Sequence, residues 1–242
     1  MKKIKSFFKN LARKVLLKVN APAGLKEIYE NLGSDLTGER TFYLGQEKRR
    51  VTCLKMESAP GTSETVIQLL KKEPSGSSIL DFGCGQHKSE YLRRMGFNVH
   101  SCDVFDFQIS NYTKIDPKET KLPFLDKSFD IVVVSEVIEH VESPFALLGE
   151  LARVAKNYLI VTSPNPQSLK SRKEFFKTGY LYWFAPENFN YHISPVFSWQ
   201  VEHFCLRHNF LLEQVLGNHE VFGLETGEIL KQAEALIYKI KC

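Results

Sequence analysis

The chain has 242 residues, 43% of them hydrophobic, which supports one sizeable core and leaves little for a second independent domain. A net charge of +4 permits an anionic partner without demanding one. Five cysteines (Cys53, Cys84, Cys102, Cys205 and Cys242), with no CxxC among them, argue against a disulfide framework or a zinc site and for a reducing cytoplasm; no apolar run approaches the roughly 20 residues that span a bilayer.

The charge is uneven along the chain. Lys2, Lys3, Lys5, Lys9, Arg13, Lys14 and Lys18 precede the first acid, Glu27, while Ile4, Phe7, Phe8, Leu11 and Val15 recur at helical spacing. The pattern predicts a basic amphipathic helix over residues 1–20. Lysines interrupt every apolar stretch and no small-residue cleavage site follows, so it does not read as a signal peptide. Such a helix either docks on the domain or a partner, or lies on an anionic membrane surface, giving a peripheral contact. Ala21-Pro22-Ala23-Gly24 ends it, and residues 25–60, with Glu47-Lys48-Arg49-Arg50, are expected to cap a ligand site. Residues 1–60 thus form an N-terminal extension to a main domain over 61–242.

From residue 65 strands and helices alternate. The predicted order is a helix from Thr65 to Lys72, a strand at Ser78–Phe82, a helix at Ser89–Met95 closed by Gly96, and a strand from Asn98 to Cys102 that ends at Asp103. A short strand at Thr113–Ile115, the buried strand Asp130–Ser135, a helix at Pro144–Ala155 and a strand at Tyr158–Thr162 follow. Apolar runs alternating with amphipathic helices argue for a parallel sheet in an α/β fold. After Pro164 the alternation lapses, then resumes as a helix at Ser198–His208 and strands at Phe210–Leu216 and Ala235–Lys241.

The richest stretch is Ile79-Leu80-Asp81-Phe82-Gly83-Cys84-Gly85, a buried strand running into a glycine turn. Glycines at 83 and 85 let the backbone take positive φ and let a ligand approach closely. The series from Gly83 reads Gly-Cys-Gly-Gln-His-Lys, without the third glycine of a dinucleotide fingerprint. A carboxylate two residues before Gly83 suits a ligand bearing an ammonium group, which points to S-adenosylmethionine rather than NAD. Asp103, at the end of the next strand, is placed to accept hydrogen bonds from ribose hydroxyls.

Four segments follow in order: Ile-Leu-Asp-Phe-Gly-Cys-Gly, Cys-Asp-Val, Leu-Pro-Phe-Leu-Asp-Lys-Ser-Phe-Asp and Ser-Glu-Val-Ile-Glu-His-Val. Together they resemble the class I S-adenosylmethionine-dependent methyltransferases over roughly residues 60–242. The resemblance implies a Rossmann-like, seven-stranded, doubly wound and mostly parallel sheet with its last strand antiparallel, and bound S-adenosylmethionine. Carried over, Asp81 would sit near the methionine ammonium, Gly83 and Gly85 would border the methionine portion, and Asp103 would hold the ribose. Ser135 and Glu136 would line the floor beneath the methyl sulfonium. Two positions depart from the family pattern. His87 stands where a third glycine is common, and Lys118 stands where an adenine-reading acid usually lies, with Asp116 and Glu119 nearby; Asp116, following the expected strand, is the better placed.

Glu136-Val137-Ile138-Glu139-His140 is the next constellation. If helical, positions 136, 139 and 140 share one face. The ubiquinone-pathway O-methyltransferases and the small-RNA 2′-O-methyltransferases have a similar Glu-x-x-Glu-His, and the resemblance implies a divalent metal such as magnesium held by Glu136, Glu139, His140 and the downstream His192. The same residues also read without metal, the acid packing near the cofactor and the histidine orienting the acceptor. His140 and His192 are the two candidates for a catalytic base. Residues 170–192, with Lys170, Arg172 and Lys173 among Tyr180, Tyr182, Trp183, Phe184, Phe189 and Tyr191, are expected to form a substrate lid. The expected acceptor is a hydroxyl on a small molecule or a glycan- or lipid-linked intermediate. The alternatives are metal-assisted methylation of an RNA end, disfavoured by the mild charge, and S-adenosylmethionine binding without turnover.

Overall fold

A computed structural model describes residues 38–44, 47–53, 62–85, 88–185, 191–218 and 226–242, those of 38–53 by their backbone alone. The chain divides into two units, Met1–Glu57 and Ser58–Cys242. In the first, β1 (Gly38–Leu44) and β2 (Glu47–Cys53) pair antiparallel, from Gly38 opposite Cys53 to Leu44 opposite Glu47. The expected helix over 1–20, and the rest of the expected cap, lie outside the described residues.

The second unit is a seven-stranded sheet with helices on both faces. Its strands are β3 (Ser78–Phe82), β4 (Asn98–Asp103), β5 (Tyr112–Lys114), β6 (Phe129–Ser135), β7 (Ala155–Pro164), β8 (Leu211–Gly217) and β9 (Ala235–Lys241). The spatial order is β5-β4-β3-β6-β7-β9-β8. Pairing is parallel from β5 through β7, and β9 runs antiparallel to both of its neighbours. This is the doubly wound sheet with an antiparallel last strand that the motifs implied.

Period two explains the layering. Leu80, Phe82, Val132, Val134, Leu159, Val161 and Tyr238 point to one face. There they meet α3 (Pro144–Val154) and α5 (Ser198–His208) through Leu148, Leu151, Val201 and Phe204. Ile79, Ile131, Val133, Ile160 and Ile237 point to the other, against Val66, Leu69 and Leu70 of α1 (Thr62–Leu70) and Leu92 of α2 (Lys88–Arg94). Both faces are covered, so the central strands are continuous apolar runs.

Past Pro164 the structure differs from expectation. Residues Leu169–Thr178 form a helix, α4, rather than a wholly irregular lid, followed by a 3-10 turn at Tyr182–Phe184. The Ser168 side chain caps α4 by accepting from Ser171 N, and Gly179 ends it at φ 85°. Ser171 is the one buried residue of this helix, so no inward apolar stripe announces it. A second helix absent from the sequence reading, α6 (Thr226–Gln232), precedes β9. The Glu136–His140 stretch is not an α-helix: Glu136 is left-handed at φ 53° and only Ile138–His140 form a 3-10 turn.

Candidate functional site

Strand order reverses between β4 on one side of β3 and β6 on the other, so a crevice opens at the carboxyl ends of β3 and β6. The glycine turn sits there. Gly83 and Gly85 take φ of 68° and 55°. A Cβ on Gly83 would lie 2.3 Å from Val137 Cγ2, whereas one on Gly85 would meet nothing within 4 Å. Gly83 therefore lets the segment after β6 close on the turn, and Gly85 leaves open space beside it. Gly83 N and Cys84 N both donate to Cys102 O, tying the turn to β4.

Two carboxylates flank the turn. Asp81 is 2% exposed and accepts from Ser89 Oγ at 2.7 Å; Ser89 in turn accepts from Ser101 Oγ, which accepts from Arg93 Nη2. Asp103 accepts from Gly85 N and Phe105 N, each at 3.2 Å. Tyr112 Oη lies against the carbonyls of Asp103 and Phe105 and holds the loop after β4. The field of the two acids is felt by Cys84, whose thiol is pushed up to about 12, first by burial and then by Asp81 and Asp103. Such a negative field suits a cationic ligand end. Asp116 is exposed after β5, with its Oδ1 accepting from Lys118 N in a local turn. His87 lies outside the described residues.

At the end of β6, Ser135 is half-buried and Glu136 N donates to Thr162 O and Oγ1, while Thr162 Oγ1 donates to Glu136 Oε1 at 2.8 Å. Glu136 thus faces β7. Glu139, His140 and His192 instead form a cluster in which one ligand atom from each lies within 4.8 Å of the others, and Glu136 is not part of it. The reason is local: the left-handed turn at Glu136 and the single 3-10 turn send positions 136 and 139 different ways, where an α-helix would have aligned them.

The partner segment of this cluster comes from far along the chain. Ile193 N and Ser194 N donate to Glu139 O, Ser194 Oγ donates to Val141 O, and His140 Nδ1 lies 3.1 Å from Tyr191 O. A carbonyl only accepts, so Nδ1 carries the proton and Nε2 presents its lone pair. That Nε2 is 3.9 Å from Glu139 Oε1, and the His140 and His192 rings meet edge-on at 4.6 Å. Burial lowers the pKa of His140; burial, then the neighbouring His140, lowers that of His192 to about 4. Both imidazoles are neutral near pH 7.

In the expected lid, Lys170 is not a free cation for the acceptor: its Nζ pairs with Glu234 at 2.9 Å and stands 3.9 Å over the Tyr182 ring. The 3-10 turn brings Phe184 to His192, with ring centroids 5.5 Å apart. Residues 186–190 lie outside the described residues. The sequence reading missed Ser89, Thr162 and the Tyr191 carbonyl. Ser89 and Thr162 carry polar side chains at an expected helix start and strand end, which is a weak signal; a backbone carbonyl carries none.

Comparison with known proteins bears on the family and the fold. A family model described as a methyltransferase domain matches residues 56–214. The chain is 32% identical over 94 residues to a ubiquinone biosynthesis O-methyltransferase of Hahella chejuensis, a match covering 34% of this chain and 40% of that protein. It is 33% identical over 113 residues to the mitochondrial ubiquinone biosynthesis O-methyltransferase of Schizosaccharomyces pombe, covering 40% and 41%. The chain thus spans about two fifths of the length of these two relatives. Among solved structures, a SAM-dependent methyltransferase of Archaeoglobus fulgidus aligns with a TM-score of 0.55 at 21% identity, covering 75% of this chain and 95% of that one. The magnesium protoporphyrin IX methyltransferase of Synechocystis, with bound SAH, aligns with a TM-score of 0.54 at 17% identity, covering 74% and 81%.

Proposed function

Given that this chain belongs to the S-adenosylmethionine-dependent methyltransferases of class I, we propose that it methylates a hydroxyl oxygen, on a small molecule or on a glycan- or lipid-linked intermediate. The observation that carries this reading is His140, whose Nδ1–H is held by Tyr191 O so that Nε2 is left as a proton acceptor. Among the described residues no hydrogen-bond partner occupies that Nε2. Val137, three residues earlier, reaches the Gly83 turn, which supports a base close to the cofactor turn. The names of the two ubiquinone-pathway relatives add support for an oxygen acceptor.

S-adenosylmethionine supplies the electrophilic methyl group. Asp81 and Asp103 attract its cationic and ribose ends, and the glycine turn lets it lie close to the backbone. His140 Nε2 takes the hydroxyl proton as the acceptor oxygen forms its bond to the methyl carbon, and S-adenosylhomocysteine leaves. Because burial keeps His140 neutral, it is ready as a base at neutral pH. Phe184 and the Tyr182–Trp183 pair offer aromatic faces to a planar or lipophilic acceptor. Residues 1–20 offer a peripheral membrane contact, and nucleic acid is not the expected partner. Among the described residues no helix is long and apolar enough to cross a membrane.

The test is turnover with S-adenosylmethionine and a panel of catechol, phenol and sugar hydroxyls. His140→Gln should lower kcat about 10²–10⁴-fold, the usual worth of a positioned base, with little change in S-adenosylhomocysteine affinity by calorimetry. An unchanged kcat removes His140 as the base. A second, metal-assisted reading rests on the Glu139, His140 and His192 cluster. One carboxylate and two neutral imidazoles suit a first-row transition ion better than magnesium, which prefers oxygen ligands. Activity insensitive to EDTA would remove that reading and leave the base role intact.

A further inference from the structure

Helix α4 is built inside out. An ordinary surface helix turns its apolar side chains inward, yet here the inward position is Ser171 and the large apolar groups are exposed: Phe176 at 89%, Phe175 at 52% and Leu169 at 46%, with Tyr180 just beyond the helix at 46%. At 100° per residue, Leu169 and Phe176 point in nearly one direction, away from Ser171. Arg172 and Lys173 stand between them along the helix, and Lys177 follows beside Phe176.

The charge on this face is one-sided. Over Leu169–Thr178 there are four cations, Lys170, Arg172, Lys173 and Lys177, against one acid, Glu174. Lys170 is paired with Glu234 and Lys177 reaches Glu174 only at 3.8 Å, while Arg172 and Lys173 have no ion pair among the described residues. Solvated cations around exposed phenyl and leucyl groups fit a surface that is negative outside and apolar just beneath. Arginine and lysine stems can reach up to phosphates while Phe176 and Leu169 enter the acyl boundary.

From this geometry we infer that α4 is a membrane-surface foot, which seats the outward face of Leu169, Arg172, Lys173 and Phe176 on an anionic lipid bilayer. The helix is joined by Gly179 to the Tyr182–Phe184 turn that borders His192, so a seated α4 is linked through a short segment to the residues beside that histidine. This contact is separate from the one offered by residues 1–20, and it holds whichever acceptor is methylated.

The test uses the full chain, sedimented with phosphatidylcholine vesicles with and without phosphatidylglycerol. The wild-type chain should bind the anionic vesicles, less so as salt rises, and bind the neutral ones weakly. Leu169→Ser with Phe176→Ser should weaken binding about tenfold or more, without moving the thermal midpoint, because neither side chain is packed in the core. Arg172→Glu with Lys173→Glu should weaken it likewise and flatten the salt dependence. With Phe176→Trp, brominated lipid should quench the added fluorescence. Binding that survives both double substitutions belongs to residues 1–20 and overturns the inference. So does failure of the wild-type chain to bind, including the case in which this face captures another protein instead. Methyl transfer is read separately, so loss of vesicle binding says nothing against His140.

Discussion

Replacing Gly83 by alanine, and Gly85 by alanine beside it, separates two demands on the same turn. Both residues have positive φ, 68° and 55°, so each substitution places an L side chain in the left-handed region at a cost of about 1–2 kcal/mol. At Gly83 the new methyl would also lie 2.3 Å from Val137 Cγ2, with Val137 Cβ and Cγ1 at 3.5 and 3.6 Å behind it. Valine is stiff about χ1, so the segment after β6 must shift or repack, which adds about 1–3 kcal/mol. Gly83→Ala should therefore lose about 2–5 kcal/mol of unfolding free energy and Gly85→Ala only about 1–2, read from urea midpoints at constant m. The order should invert for ligand. The Gly85 methyl enters the open space beside the turn, so calorimetry with S-adenosylhomocysteine should show an affinity loss out of proportion to its mild destabilisation. Equal destabilisation by the two alanines would refute the close approach of Val137 to Gly83. Unchanged affinity in Gly85→Ala would refute that space as the cofactor's.

Asp81→Asn removes one of the two charges facing the turn and should weaken S-adenosylmethionine binding about tenfold or more, the scale of a charge-assisted hydrogen bond; unaltered affinity would deny Asp81 the ammonium. His192 titrates at about 4 in the fold against an ordinary 6.5, so the folded chain binds fewer protons between those values. Its contribution is fully present above pH 6.5 and is lost as the pH falls toward 4, by about 3 kcal/mol at 1.36 per unit. His192→Asn should accordingly flatten the acid side of the stability profile, and a parallel profile would count against a buried neutral imidazole. Ser168→Ala should cost about 1 kcal/mol of local helix stability, seen as faster amide exchange in α4 alone.

How much of this could be read from the chain varies with the range of the contacts involved. The strand Ser78–Phe82, the glycine turn and the terminal strand Ala235–Lys241 were legible because their signals are local: apolar runs of strand length, glycines where the backbone bends, and an acid at the strand's end. The order of motifs carried the cofactor and the sheet topology. Helix α4 was not legible because its inward face is a serine, and α6 because residues 226–232 carry little apolar periodicity. The grouping of Glu136 with Glu139 and His140 failed for a local reason that spacing cannot express, since a left-handed residue at the end of β6 turns Glu136 to Thr162.

The amino-acid sequence by itself determined the layered α/β sheet and the glycine turn at Asp81–Gly85, since each depends on residues close together in the chain. Only the tertiary structure decided which nitrogen of His140 is free, which acid faces it, and that His192 joins it. Those outcomes rest on a carbonyl at Tyr191 meeting a ring at position 140, and pairings across fifty residues are set by how the strands pack rather than by any pattern along the chain.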